Sequence, residues 1–277
     1  MSADLTSPAA GATALARVSL RQDLKLAAIW AVLAGVAAAA LIPYLMQMMP
    51  DKFAKIPLSL PMVAIAQGAQ TLVLIGVLSL LGLRMGHRVA LGSPLLHGWI
   101  NLRQKPDWRA LRPLQAIAFG TVAAVLVTAA AAVMDPMLPK ALHPPTETDA
   151  ANSALNGLLA SFYGGIAEEL QLRLFVMTLL VWIVARLRKY TPPASVYWSA
   201  IVIAALLFGI GHLPAAAHVW GLDAFVVFRT VSLNAIAGLA FGWLYWKRGI
   251  EMAVLAHFSA DIVLHALTPL LASGGLT

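Results

Sequence analysis

Three long apolar stretches of this chain each carry ionisable side chains in their interior. Charges at the depth of a lipid bilayer are energetically costly, so such residues indicate a function. A carboxylate can act as a general base on water, and an imidazole can move a proton or stabilise a developing oxyanion. These residue types together can supply what the hydrolysis of a peptide bond requires. The ionisable residues in question are Glu168, Glu169, Arg173, His212, His257 and Asp261.

The spacing of the first group predicts a division of roles. Residues four apart share one face of a helix, so Glu169 and Arg173 are expected to form an ion pair. Glu168 is rotated by about 100° from Glu169 and is free to face a cavity. We therefore assign Glu168 to the chemistry and Glu169 with Arg173 to support. The pair could also be purely structural, because many buried ion pairs take no part in a reaction.

Two arrangements of the remaining residues are compatible with water activation. In the first, Glu168 and His212 polarise the water, while His257 and Asp261 hold it or stabilise the oxyanion. In the second, Glu168, His212 and His257 bind zinc and leave a fourth position for water. We favour the metal-free arrangement, because Asp261 stands one turn after His257 and can orient that imidazole as a donor. A His-Glu-x-x-His zinc motif is absent from the sequence.

Composition indicates an integral membrane protein. Of 277 residues, 60% are hydrophobic and only 11% are charged, and the mean hydropathy is +0.81. The absence of cysteine excludes disulfides, a cysteine nucleophile and a cysteine-ligated metal site. The net charge is +7. The basic residues lie at the ends of apolar stretches and do not form a basic stripe, so we expect no nucleic-acid partner. The expected surroundings are a lipid bilayer and membrane-associated substrates.

Seven apolar stretches are long enough to span a bilayer, since about 20 residues cross the hydrocarbon core as a helix. Because lipid offers no hydrogen-bond partners to the backbone, these stretches must be helical. The predicted fold class is an all-α polytopic membrane protein with a bundle of about seven transmembrane helices. The stretches are residues 26–49, 56–83, 114–134, 154–184, 194–213, 222–246 and 250–272.

The segment 88–111 would add an eighth helix if it inserted into the membrane. Its mixture of apolar and basic residues instead predicts an amphipathic segment that lies on the membrane surface. Apolar side chains would face the lipid and basic ones the headgroups. The expected lipid-facing residues are Leu91, Leu95, Leu96, Trp99 and Leu102, and the expected headgroup-facing residues are Arg103, Lys105 and Arg109.

The positive charges predict an orientation. Of the 19 lysines and arginines, fourteen fall on the side of the N-terminus and three, namely Lys52, Lys55 and Lys140, on the other. Such an excess marks the cytoplasmic side. We therefore expect a cytoplasmic segment over 1–25, accessory helices over 26–134 and a catalytic membrane core over 150–272. A bacterial inner membrane is the expected location.

Three short motifs follow one another in this last region, each in an apolar helix. Together they resemble the signature motifs of the CPBP intramembrane proteases, the CAAX-processing and bacteriocin-processing proteins also called the Abi family. The resemblance covers roughly residues 150–270. The motifs are Glu168-Glu169-x-x-x-Arg173, Phe208-x-x-x-His212 and His257-x-x-x-Asp261.

The resemblance implies a helical membrane endopeptidase. By position, it implies that Glu168 and His212 activate water and that His257 and Asp261 form an oxyanion or positioning pair. It does not decide whether a metal takes part. Two alternatives belong to other classes: a proton- or ion-coupled transporter, and a non-catalytic membrane scaffold or immunity protein. The motif residues all lie in the last four predicted helices, and this distribution favours the enzyme, because transporters often repeat such features in both halves.

Overall fold

The described part of the chain contains seven helices of membrane-spanning length. In the computed structural model, residues 18–188 and 192–273 are described, and that part of the chain contains helices and loops but no strands. The seven-helix prediction is confirmed, and the chain is an integral membrane protein. The helices are α1 (Leu20–Met48), α2 (Leu60–Gly86), α3 (Trp108–Met137), α4 (Ala150–Arg188), α5 (Ala194–Trp220), α6 (Ala224–Arg248) and α7 (Ile250–Leu271).

Helices α1 and α5 are each interrupted along their length, as is α3 at Arg112. Helix α1 consists of Leu20–Ala40 and Ile42–Met48, and helix α5 consists of Ala194–Gly211 and Leu213–Trp220. A proline stands in the first turn of each second part, Pro43 in α1 and Pro214 in α5. Proline lacks the backbone N–H that would continue the hydrogen-bond ladder, so the helix can change direction there. His212 is the residue at the break in α5.

Helices α4 and α7 contain segments of π-helix, in which the backbone bonds from i to i+5. They are Tyr163–Glu168 and Leu170–Met177 in α4, and Ile262–Leu267 in α7. The hydroxyl of Thr178 donates to the carbonyl of Arg173 across the same five-residue spacing, at 3.3 Å. These wider turns are rare and occur mostly at functional sites. The sequence analysis assumed a uniform α-helix and did not predict them.

Glycines allow α7 to approach its neighbours closely. A Cβ atom at Gly120 of α3 would collide with the carbonyl of Ala256, and one at Gly157 of α4 would collide with the carbonyl of His265. Small residues at such crossings bring helix backbones together, which is how helices in lipid gain packing energy. Helix α7 is thereby held between α3 and α4.

Buried carboxylates stabilise the end of the bundle at which α1 and α7 begin. Asp23 of α1 is fully buried and lies 2.9 Å from both Arg84 Nη1 and His87 Nε2, which joins α1 to α2. Glu251, at the start of α7, is 6% exposed. It accepts hydrogen bonds from the Ser93 hydroxyl at 2.6 Å and from a backbone N–H of the same loop. Glu251 thereby anchors the loop between α2 and α3, for which the sequence predicted a position on the membrane surface.

The segment 88–111 differs from the predicted amphipathic helix. Leu91 is buried in the main apolar core, and Leu95 and Leu96 pack against buried residues and not against lipid. Of the five residues expected to face lipid, only Trp99 and Leu102 are exposed, whereas Arg103, Lys105 and Arg109 are exposed as predicted. The reason is the buried carboxylate of α7, whose hydrogen bonds hold this loop against the bundle. The segment contains three short helices, Pro94–Leu96, His97–Asn101 and Trp108–Leu111.

The distribution of basic residues leads to a topology prediction. A reporter fused after Lys140 should be external, and one fused after Lys247 should be cytoplasmic. The reason is that most lysines and arginines lie on the same side as Lys247. Alkaline phosphatase and a cytoplasm-active fluorescent protein, fused at both positions, give opposite readings. The reverse pattern would make the orientation wrong. Two residues of the basic count, Arg17 and Lys189, lie outside the described residues, as does most of the segment 1–25.

Candidate active site

A cavity of about 910 Å³ lies among six of the seven helices. All four residues that the sequence assigned to chemistry, Glu168, His212, His257 and Asp261, line it. The supporting pair of α4 is absent from the lining and lies behind the cavity wall. The structure thus separates the two groups as the sequence analysis predicted, although each residue's catalytic role remains a prediction.

The predicted ion pair of α4 is confirmed. Arg173 Nη1 lies 3.0 Å from Glu169 Oε1, and both side chains are fully buried. Arg173 Nη2 also donates to the carbonyl of Gly238 on α6, at 3.0 Å. Its guanidinium lies 5.1 Å from the ring centre of Phe208 on α5 and 5.6 Å from that of Phe241 on α6. One buried cation therefore connects three helices, and the aromatic faces compensate part of its lost hydration.

Glu169 has a second partner that the sequence analysis missed. His257 Nδ1 lies 2.9 Å from Glu169 Oε1 and donates to it, since a carboxylate can only accept. Asp261 was also expected to orient His257, and this role stays a prediction. Asp261 Oδ1 lies 3.6 Å from His257 Nε2, outside hydrogen-bond range. No spacing rule could reveal the actual contact, because the two residues are 88 positions apart.

Aromatic rings hold the plane of His257. Phe241 stacks on the imidazole with ring centres 4.5 Å apart, and Phe208 meets it edge-on at 5.4 Å. With Nδ1 bound to the carboxylate behind it, the ring presents Nε2 to the cavity. That nitrogen lies 3.9 Å from Glu168 Oε2. His257 therefore stands between a buried carboxylate on one side and the cavity carboxylates Glu168 and Asp261 on the other.

Glycine at position 164 is required by the geometry of the site. A Cβ atom there would collide with Asp261 Oδ2 and would lie 3.2 Å from His257 Nε2. The absence of a side chain thus allows α4 to pass directly beside the reactive groups of α7. The sequence analysis did not single out this residue. The only available signal was the Gly164-Gly165 pair, one helical turn before Glu168 in an otherwise apolar segment.

His212 reaches the cavity from the break in α5. Its Nδ1 donates to the carbonyl of Phe208 at 2.9 Å, and the two rings meet edge-on with centres 4.8 Å apart. This bond leaves Nε2 as the nitrogen available to a ligand in the cavity. His212 is expected to reach Glu168 directly or through one water; among residues 18–188 and 192–273, no direct hydrogen bond or ion pair joins the two side chains. Both line the cavity.

The zinc alternative does not fit this arrangement. Among the described residues, no group of three or more histidines and carboxylates is spaced to hold a metal ion. Zinc requires ligand atoms that converge at about 2.0–2.2 Å from one point. We therefore derive the chemistry from the side chains themselves.

Comparison with known proteins adds one finding. Residues 150–263 match a family model described as "Type II CAAX prenyl endopeptidase Rce1-like". The match covers α4, α5, α6 and the first part of α7, and so includes Glu168, Glu169, Arg173, His212, His257 and Asp261. Neither the curated proteins nor the solved structures contain a match to the chain. Residues 150–263 therefore form a domain of the Rce1-like type II CAAX prenyl endopeptidase family, a family of peptide-bond hydrolases.

Proposed function

We propose that this intramembrane protease cleaves a membrane-associated protein or peptide with a water molecule that Glu168 activates. The observation that supports this most strongly is the contrast between the two adjacent carboxylates. The Glu169 side chain is fully buried against a cation, whereas the Glu168 side chain is 25% exposed and lines the cavity. Of these two carboxylates, only Glu168 can reach a water molecule and a substrate at the same time.

The proposed reaction proceeds in two steps. Glu168 takes a proton from water while the water oxygen attacks the carbonyl carbon of the scissile bond, and the carbonyl electrons move to its oxygen. Glu168 then passes that proton to the leaving nitrogen as the C–N bond breaks and the carbonyl reforms. The products are a carboxylic acid and an amine. His212 Nε2, directed to the cavity by the bond at Nδ1, accepts a hydrogen bond from the water and positions it.

His257 stabilises the oxyanion in this scheme. Glu169 holds Nδ1–H, so it is the imidazolium form of the ring that also carries an Nε2–H. This N–H is directed toward the cavity, where charge develops on the carbonyl oxygen. Arg173 keeps Glu169 in place and does not itself touch the substrate. Asp261, on the other side of Nε2, is placed to hold the attacking water or the proton on Nε2. The buried pair thus acts by positioning.

The shape of the cavity supports an apolar, extended substrate. The lining reaches Met49 of the α1–α2 loop, Asp135 of α3 and Val219 of α5. Because successive helices run in opposite directions, these three residues lie at the same end of the bundle, opposite the N-terminal Leu20. Much of the remaining lining is aliphatic, including Leu45. A peptide approaching from that end would meet apolar walls before it reached Glu168.

Replacement of Glu168 with glutamine tests the proposed base. Gln cannot accept the proton, so turnover of a membrane peptide by purified protein should fall by about 10²–10⁴-fold, the usual contribution of a general base. The yield of folded protein should stay unchanged, because the volume is preserved at a partly exposed site. Glu147→Gln, on an exposed loop, is the matched control and should retain full activity. Equal turnover by the two variants would exclude Glu168 as the base.

The transporter and scaffold alternatives make a different prediction for the same preparation. Neither requires that the wild-type protein hydrolyse any peptide. Wild-type protein that transports an ion or proton in proteoliposomes, but releases no cleaved product from a panel of membrane peptides, would favour the transporter.

The buried ion pair should govern stability. Arg173→Leu leaves the Glu169 charge buried without its cation, and Glu169→Gln does the reverse, so each should lower the free energy of unfolding by about 3–5 kcal/mol. Thermal unfolding in detergent and the folded yield measure the effect. Arg186→Leu, at an exposed position of the same helix, is the control and should change stability by less than about 0.5 kcal/mol. Wild-type stability in both pair variants would show that the pair is dispensable.

Chelation separates the two modes of water activation. With the side chains as the only catalysts, turnover should survive dialysis against EDTA, and added zinc should not increase it. Elemental analysis of the purified protein gives a second, activity-independent measurement. Stoichiometric zinc that is lost with chelator, together with recovery of activity on its return, would establish the metal mechanism. The protease function would stand in either case.

A further inference from the structure

Helix α1, which lies outside the matched residues 150–263, contributes a phenol to the cavity. The helix breaks at Leu41, and Pro43 is in the first turn of its second part. The next residue, Tyr44, lines the cavity together with Glu168 and Asp261. The break therefore directs a hydrogen-bond donor from an accessory helix toward the catalytic groups.

The contacts of Tyr44 place it beside those groups. Its ring meets the imidazole of His265 edge-on, with ring centres 5.7 Å apart. His265 Nε2 in turn lies 4.0 Å from Asp261 Oδ1. The charges of Asp261 and Glu168 are close enough to interact electrostatically with the phenol group. Tyr44 is thus held at the same side of the cavity as the two carboxylates.

The hydroxyl of Tyr44 is not used by the fold. In the part of the chain that the structure describes, it makes no hydrogen bond. Two buried tyrosines are engaged by contrast: the Tyr197 hydroxyl donates to the carbonyl of Val89 at 2.8 Å, and the Tyr245 hydroxyl lies 2.6 Å from that of Thr178. A donor without a partner in a largely apolar cavity is available to a ligand.

The proposed reaction lacks a second donor for the oxyanion. His257 can donate through Nε2 as an imidazolium, but an ionised Asp261 can only accept hydrogen bonds. His212 uses its N–H at Nδ1 for the carbonyl of Phe208, so its neutral ring offers an acceptor to the cavity. Oxyanion sites commonly combine several donors aimed at the developing charge. Tyr44 is a neutral side chain of the lining that can supply one.

We propose that the hydroxyl of Tyr44 donates a hydrogen bond to the oxyanion formed when water attacks the scissile carbonyl. The phenol keeps its proton throughout. The hydrogen bond strengthens as the carbonyl electrons move to oxygen and weakens when the C–N bond breaks and the carbonyl reforms. Tyr44 is thereby a catalytic residue supplied by the accessory helices. This inference rests on the proposed hydrolysis by Glu168.

Tyr44→Phe is the test, because it removes the donor and keeps the ring. We expect kcat for a membrane peptide to fall by about 10²-fold, as for loss of an oxyanion donor, while KM changes little. The thermal midpoint should equal that of the wild type, because the hydroxyl has no partner to lose. Tyr197→Phe removes a partnered hydroxyl that does not line the cavity. It should lower the thermal midpoint and leave kcat of the folded enzyme unchanged.

A transition-state analogue gives a second measurement. A peptide phosphonate, whose tetrahedral oxygens mimic the oxyanion, should bind Tyr44→Phe more weakly than wild type by the factor lost in kcat. Wild-type kcat in Tyr44→Phe, alongside an inactive Glu168→Gln, would overturn the role of Tyr44 and leave the protease proposal standing. A fall in kcat accompanied by an equal loss of substrate binding or by a lowered thermal midpoint would also overturn it. Absence of peptide cleavage by wild-type protein would overturn both proposals.

Discussion

The carboxylate of Glu169 is shared between a guanidinium and an imidazole, and the arrangement of the helices depends on this shared contact. A charge removed from both water and lipid headgroups is tolerated only if opposite charges and hydrogen bonds surround it. Arg173 supplies the charge at 3.0 Å, and His257 supplies a hydrogen bond at 2.9 Å. Arg173 in turn donates to the carbonyl of Gly238 and lies against two aromatic faces. The contacts of these few atoms extend over α4, α5, α6 and α7, so the relative positions of the four helices are constrained together.

This constraint explains why the reactive groups are ordered in a region where polar side chains are otherwise costly. Fixing His257 through Nδ1 leaves only Nε2 for the cavity. The adjacent carboxylate Glu168, one position before Glu169, then lies on the cavity side with 25% of its side chain exposed. Two glutamates that are neighbours in sequence therefore differ fully in environment. The buried one holds the site together, and the exposed one is left free to react.

Much of this architecture could be predicted from the sequence, but only where the cause was local. The hydropathy pattern predicted the seven spanning helices, because each apolar stretch in lipid must form its backbone hydrogen bonds within a helix. The i,i+4 spacing identified the contact of Glu169 with Arg173 and placed Glu168 on another face. The contact of Glu169 with His257 could not be predicted, since it depends on how distant helices cross. The same applies to Gly164, whose significance arises from Asp261 of another helix, and to the loop at 88–111, which is held by a carboxylate of α7.

The π-helical turns of α4 have a structural consequence of their own. The first part of this helix packs on α7, where Gly157 touches the carbonyl of His265, and its later part packs on α2, where Gly82 meets the carbonyl of Leu174. A single uninterrupted α-helix would impose one angular register on both contacts. The wider turns at Tyr163–Glu168 and Leu170–Met177 rotate one part of the helix relative to the other, so each part can adopt the register that its neighbour requires. The two glutamates lie within or between these turns, so the direction in which they point is set by the winding of the helix as well as by their own side-chain contacts.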